Sequence, residues 1–427
     1  MDIEALKQRV ILEIDNNADR IVKIGEDIRE NPEMGYKENK TAAYVKDEFL
    51  KLGLGVEDGL ALTGIKGTMK GRNSIANVAV IGELDAVLCS GHPKADKETG
   101  AAHACGHNAQ LASMLGAAIG LSAVKELLDG TVTFFAVPAE EYVEIGYREK
   151  IKDEGKIEFF GGKQELIRIG AFDGIDMAMM VHAEGATPEP SVYVDGGSLG
   201  FVAKTVDFIG KASHAGGAPD KGINALNAAM AAMMCIHAQR ETFRDEDKIR
   251  VHPIITKGGE LVNTVPDNVV METYVRGANL EAIKDAEAKV DRAIKGASYA
   301  IGAEAQIKNF KGYLPLLQNK DMSKMFASNA SRFIPEDKIY HGIDMVGSTD
   351  MGDLGHIMPM IQPTMGGFSG TLHSAEFEIA DKNAAYILPA KIMALTVIDL
   401  LFNGAEGALS VKNNFVPKMT KEEYIKF

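Results

Sequence analysis

Apolar and polar residues alternate along this chain with two different periods, and the change of period predicts its organisation. From Ile3 to Arg29 the apolar positions recur at helical spacing, and a helix is expected there, ending at Asn31-Pro32. A second helix is expected over Asn39–Leu52. Asn77–Gly82 reads as a strand, and a long helix of small and apolar residues is expected from Asn108 to Leu128. The short β-branched runs Thr131–Val137 and Met177–Val181 read as buried strands. Helices alternating with apolar strands predict an α/β domain, a central and largely parallel sheet with helices on both faces.

From Gly200 to Tyr313 the order changes. A strand (Phe201–Ile209), a helix (Gly222–Arg240), two strands (Arg250–Thr256, Asn268–Arg276), a helix (Leu280–Ile301) and a strand (Ala305–Phe310) are expected. That βαββαβ order is ferredoxin-like, and it predicts an inserted α+β domain. The expected division is 1–199 and 314–427 for the α/β domain and 200–313 for the insert. A last helix is expected near Lys382–Phe402.

Composition narrows the function classes. Hydrophobic residues make 46% of the 427 and charged residues 25%, as in ordinary globular proteins. No apolar run reads as long enough to span a bilayer, and the N-terminus lacks the apolar core of a signal peptide. A net charge of −14 argues against nucleic acid as a partner, because phosphate binding needs a basic face. Three cysteines, Cys89, Cys105 and Cys235, make no disulfide framework. A cytoplasmic protein is expected.

Several residues able to bind metal fall at expected C-terminal ends of strands, the edge where open α/β sheets bind ligands. Cys105 and His107 precede the long helix, with His103 close by. Glu140 and Glu141 follow the strand ending at Val137, His182 follows Val181, and His373 follows a glycine-rich loop. Thiolate, imidazole and carboxylate together suit zinc or a similar divalent ion. A helix N-terminus favours the thiolate of Cys105. With two adjacent carboxylates, one can bind metal while the other takes a proton from water. Each residue alone has a plainer reading: a small buried thiol, a solvated acidic pair, hydrogen-bonded histidines.

The motifs Arg29-Glu-Asn-Pro-Glu-Met-Gly35, Gly82-Glu-Leu-Asp-Ala86, His103-Ala-Cys-Gly-His-Asn108, Pro138-Ala-Glu-Glu141, Ala212-Ser-His-Ala215, Gly258-Gly-Glu-Leu-Val-Asn263, Gly347-Ser-Thr-Asp-Met-Gly352 and Leu372-His373-Ser374 run in one order along the chain. In these the sequence resembles the aminoacylase and carboxypeptidase-like co-catalytic metallopeptidases. It is most similar to the branch of indole-acetyl-amino-acid hydrolases and p-aminobenzoyl-glutamate hydrolases. The resemblance implies a zinc-peptidase-like fold whose insert serves as lid and dimerisation domain. It implies two divalent ions, zinc or manganese with cobalt an alternative, bridged by Cys105 and completed by His107, Glu141, His182 and His373. It makes Glu140 the general base and Asp85 a group that orients a ligand histidine. His214, from the insert, would stabilise the oxyanion, and Asn263 and Arg276 would hold substrate. A homodimer is implied.

The sequence departs from many relatives where Asn108 and Gln110 replace an aspartate and a histidine. Glu83 stands where carboxypeptidase-type relatives have a metal-binding histidine. Tyr142–Phe160 reads as extra charged sequence, either a wall of the active site or an exposed loop. The expected activity is metal-dependent hydrolysis of an N-acyl amino acid, an aminobenzoyl-glutamate-like conjugate or a small dipeptide. The alternatives are a metal-binding or regulatory homologue without catalysis, and an exopeptidase on longer peptides.

Overall fold

The computed structural model describes residues 2–345 and 347–426. They divide into two compact units. The first comprises 1–197, 317–344 and 353–427, and the second 198–316 and 345–352.

The first unit is built on a six-stranded sheet. Its order is Gly55–Leu60, Gly64–Lys70, Gly130–Val137, Ala76–Glu83, Met177–Met179 and Met360–Ile361. The last four strands run parallel, and the first two form an antiparallel edge. Ala76–Glu83 is buried along almost its whole length, as expected of a strand covered on both faces. Because the strands ending at Glu83, Val137 and Met179 are parallel and in register, their C-terminal ends open on one edge.

The N-terminal helical pattern resolves into two helices, Ile3–Asn16 and Ala18–Arg29, not one. The break is at Asn17, whose backbone leaves the helical region (φ −108°, ψ 12°). Apolar period alone does not reveal such a break, because the buried face continues across it. The long helix spans His107–Ser122 and is buried nearly all round, with a separate turn at Lys125–Leu127. One segment, Asn383–Leu401, is long and apolar enough to cross a bilayer, contrary to the expectation, with a mean hydropathy of 1.7. It is 94% buried, and Ile392, Leu395 and Ile398 belong to the core of this unit. Its hydropathy therefore reflects protein neighbours on every side.

The second unit is an antiparallel sheet with Glu304–Lys311, Gly200–Ile209 and Asn268–Gly277 side by side, followed by Arg250–Val251 and Ile254–Lys257 on the last of these. The expected single strand Arg250–Thr256 is split at His252-Pro253, since proline has no N–H for the ladder. Asn268–Gly277 alternates between buried and half-buried positions. Val269, Met271 and Val275 thereby face the helices Ala225–Ala238 and Leu280–Ile301, with Ala228, Ala232, Val290 and Ile294 opposite.

Candidate metal centre

The sheet edge of the first unit gathers its chemistry from five chain segments. Gly106 begins the arrangement. Its φ of +82° turns the chain between Cys105 and His107, and a Cβ there would lie 2.6 Å from that of Ala183. The turn places Cys105 just before the helix His107–Ser122. The Cys105 Sγ lies 3.5 Å from His182 Nε2 and 3.3 Å from His373 Nε2. Glu141 Oε1 lies 3.1 Å from His373 Nε2.

Two triads result, Cys105–His107–His182 and Cys105–Glu141–His373, each with its ligand atoms within 4.8 Å of one another. Cys105 is common to both. A third group, Glu83–His107–Glu140, adjoins them. His214, Asn263 and Arg276 all belong to the second unit.

Hydrogen bonds decide which ring nitrogens face the cluster. His107 Nδ1 donates to the Asp85 carbonyl at 2.8 Å, with Asp85 Oδ1 at 3.2 Å, which leaves the Nε2 lone pair free. His182 Nδ1 donates to the Ala183 carbonyl at 2.9 Å, again leaving Nε2. Asp85 Oδ2 accepts the Glu141 N–H at 2.9 Å, so one aspartate orients groups from two segments. His373 adopts a left-handed backbone (φ 62°) and donates its N–H to Ala104, which ties it to the Cys105 turn.

The donor set fits divalent cations on an independent observation. Among the described residues His107 Nε2 and Glu141 Oε1 are buried without a hydrogen-bond partner, although Glu83 and His373 atoms stand 3.0 and 3.1 Å away. Orphaned buried polar atoms cost stability, and an ion at each triad would give both of these atoms a partner. Electrostatics agree. Burial and Glu141 push the Cys105 thiol up, but His182 and His107 outweigh them and bring it down to about 6. The approach of Cys105 and then Glu141 pushes His373 up to about 11.

Lys163, which sequence reasoning passed over, completes the site together with residues noted there without a role in it, Glu83 and Gln110. Glu83 is fully buried, and Lys163 Nζ lies 2.6 Å from its Oε1. Gln110 Nε2 donates to Glu83 Oε2 at 2.8 Å, and Gln110 Oε1 accepts the Glu83 N–H. Burial raises the Glu83 carboxyl, but Lys163 and the histidines bring it to about 2. Gln110, a departure from many relatives, therefore serves to hold Glu83. Asn108 donates to the Gly25 carbonyl and to the Tyr386 hydroxyl, which joins two helices. His103 is buried, and burial pushes it down to about 3, so the ring is neutral. No local motif marks Lys163, which meets Glu83 only through the fold.

Behind the edge, Glu38 Oε1 accepts the Ala139 N–H at 2.8 Å, and Thr63 donates to Oε2 at 2.6 Å. Burial, then the charge of Asp85, push this carboxyl from 4.5 up to about 7. A raised carboxyl favours the folded state while protonated. Its contribution is complete below about pH 4.5 and is lost as pH rises through about 7. The loss is on the order of 3 kcal/mol. Glu38→Gln, which stays neutral, is expected to flatten the fall in thermal stability between pH 5 and 7 when chelator is present. Superimposable Tm–pH curves for variant and wild type would contradict this account of Glu38.

In the second unit, His214 Nδ1 accepts the N–H groups of Gly216 (3.2 Å) and Gly217 (2.9 Å). A neutral ring so held carries its proton on Nε2 and presents it as a donor. The adjacent Asn263 is exposed, and its carbonyl accepts the Ala215 N–H. Arg276 donates to Ser348 Oγ at 2.6 Å and lies over the rings of Phe201 and Tyr274. Among the described residues it has no carboxylate partner.

The chain belongs to peptidase family M20/M25/M40, which residues 79–397 match. The family matched and the relatives found make this chain a hydrolase of peptide or amide bonds. It is 28% identical over 446 residues to the Xaa-Arg dipeptidase of Mus musculus, covering 99% of this chain and 95% of that protein. Its identity to the Xaa-Arg dipeptidase of Homo sapiens is 31% over 350 residues, covering 77% and 73%. Among solved structures it resembles a dinuclear metal-binding peptidase of the M20 family from Bacillus subtilis. That match has a TM-score of 0.70 and 22% identity, covering 91% of this chain and 99% of the other.

Proposed function

We propose that Cys105, His107 and His182 hold one divalent ion and Cys105, Glu141 and His373 a second, and that the chain hydrolyses an N-acyl amino acid, an aminobenzoyl-glutamate-like conjugate or a small dipeptide. The observation that carries this reading is the pair of triads sharing one thiol, each with one buried ligand atom, His107 Nε2 or Glu141 Oε1, that has no hydrogen-bond partner among the described residues. Bound ions supply Lewis-acid polarisation of the scissile carbonyl and acidify water. Zinc and manganese suit the donor set, and cobalt is an alternative.

The chain's own groups do the rest. Glu140 belongs to neither of the two triads built on Cys105, and its Oε2 is 4.0 Å from His107 Nε2. It takes the proton of the attacking water and delivers it to the leaving amine. Asp85 keeps His107 and Glu141 in orientation. The Nε2–H of His214 stabilises the oxyanion, and Asn263 helps hold substrate. Arg276, a guanidinium without an acidic partner among the described residues, suits the carboxylate of an amino-acid product.

The two relatives named Xaa-Arg dipeptidases support the dipeptide arm. Protein loaded with zinc or manganese is tested against acyl amino acids, aminobenzoyl-glutamate, dipeptides and tripeptides. Hydrolysis within the first three classes is expected. Inertness towards all of them with two ions bound, or a preference for tripeptides, overturns the reading.

A cytoplasmic homodimer completes the proposal. All three cysteines are free, as a reducing compartment allows, and cell fractionation checks the location. The helix Ala225–Ala238 leaves Met230 and Met234 exposed, which supports the second unit as the place where copies meet. A monomeric molar mass in solution would refute the dimer.

A further inference from the structure

The stretch between Glu141 and the helix Gly162–Arg168 carries a side chain that the proposed chemistry does not use. It is not an exposed loop. It contains the helix Ile145–Asp153, on which Arg148 is only 1% exposed. A guanidinium buried to that degree ordinarily faces a carboxylate, because removing its charge from water costs several kcal/mol. Among the described residues Arg148 has no such partner. Its Nη1 donates to the Phe160 carbonyl at 2.6 Å, and its Nη2 donates to the carbonyl of Glu141. The rings of Tyr36 and Tyr142 lie 5.5 and 5.9 Å from its central carbon. Gly35 leaves the room, since a Cβ there would come within 2.7 Å of Nη2.

The carbonyl that Arg148 takes belongs to a backbone fastened at every turn. Ala139 sits in the left-handed region (φ 53°). Its N–H is held by Glu38 and its carbonyl by the Gly162 N–H at 3.0 Å. The Glu141 N–H is held by Asp85. The Glu141 carbonyl accepts the Val143 N–H at 2.9 Å and, as a second donor, Arg148 Nη2, while Arg148 Nη1 braces on the Phe160 carbonyl. Backbone torsions over 139–141 set where the carboxylates of Glu140 and Glu141 point. Errors of about 1 Å in such groups are costly in catalysis.

We infer that Arg148 is a positioning residue: the 142–160 stretch supplies a buried guanidinium that locks the Glu141 backbone and so aims Glu141 at its ion and Glu140 at substrate. The inference rests on the proposed metal site, and its test separates the two. Arg148→Met keeps the bulk and removes the donors.

Two readouts are taken together. Amide hydrogen exchange over 139–143, in chelator, is expected to quicken roughly tenfold or more, and it needs no metal. In direct titration with zinc, one ion of the two is expected to bind roughly 10–100-fold more weakly, with the other unchanged. Arg148→Lys, which keeps the charge but not the fork, should recover part of both effects, and it is judged in place of the Met variant if that variant does not fold. Lys152→Ala, which breaks a surface pair with Glu158 on the same stretch, should change neither. Wild-type exchange in a folded Arg148 variant, or wild-type affinity for both ions, overturns the inference. Glu141→Gln reports on the site itself: if it still binds two ions as wild type does, the reading of the metal centre has failed, and hydrogen exchange still decides whether Arg148 locks the backbone.

Discussion

Glu140→Gln is expected to lower turnover by roughly 10²–10⁴ while two ions remain bound. The amide is nearly isosteric with the carboxylate but cannot take a proton from water. Glu140 and Glu141 are adjacent, yet their surroundings differ. Glu141 Oε1 approaches His373 and shares a triad with Cys105. The charges of His373 and His107 hold its carboxyl below the usual range despite burial, which pushes it up. Glu140 groups with His107 and Glu83, its Oε2 4.0 Å from His107 Nε2. Removing its charge should therefore spare ion binding and substrate affinity, so kcat falls and KM stays within about threefold. Steady-state kinetics with metal analysis on the same sample decide the matter. Turnover near the wild-type level refutes Glu140 as the base. Loss of an ion would instead make Glu140 a ligand.

Cys105→Ala should have the other large effect: both ions are lost together. A substitution of His182 or of Glu141 should weaken mainly the ion of its own triad, whereas the thiol belongs to both. His182 and His107 bring that thiol to about 6, so near neutral pH it is already largely a thiolate. The protons an ion must displace then sit on the imidazoles, above all on His373, which Cys105 and Glu141 push up to about 11. Alanine removes the shared charge and leaves the imidazoles and Glu141 as separate, incomplete sets. Affinity for both ions is expected to fall by roughly a hundredfold or more, since even groups that merely orient ligands are worth 10–100-fold. Isothermal titration with zinc checks it. Retention of one tight ion would show that Cys105 serves a single site.

Much of this was open to sequence reasoning because it is local. The turn Cys105-Gly106-His107 is set by a glycine that alone tolerates its backbone and by the helix that follows. The strands ending near Glu83, Val137 and Met179 follow from short buried runs, and the acidic pair lies just beyond one of them. The second unit's elements fall close to their expected bounds because its strands and helices keep clean periods. Reasoning of this kind missed the break at Asn17 and the helix Ile145–Asp153, where the apolar pattern is continuous or thin.

The sequence by itself therefore determined the α/β class, most of the elements and the residue types able to bind metal, all of which depend on near neighbours in the chain. Tertiary structure decided the partnerships. Cys105 meets His373 across 268 positions, Lys163 meets Glu83 across 80, and the order of parallel strands alone puts those ends on one edge. It also decided that Gln110 holds Glu83, and that the charged stretch after Glu141 turns its arginine inward. A buried charge is stable only where specific oxygens face it, and which oxygens those are depends on the packed fold, not on spacing along the chain.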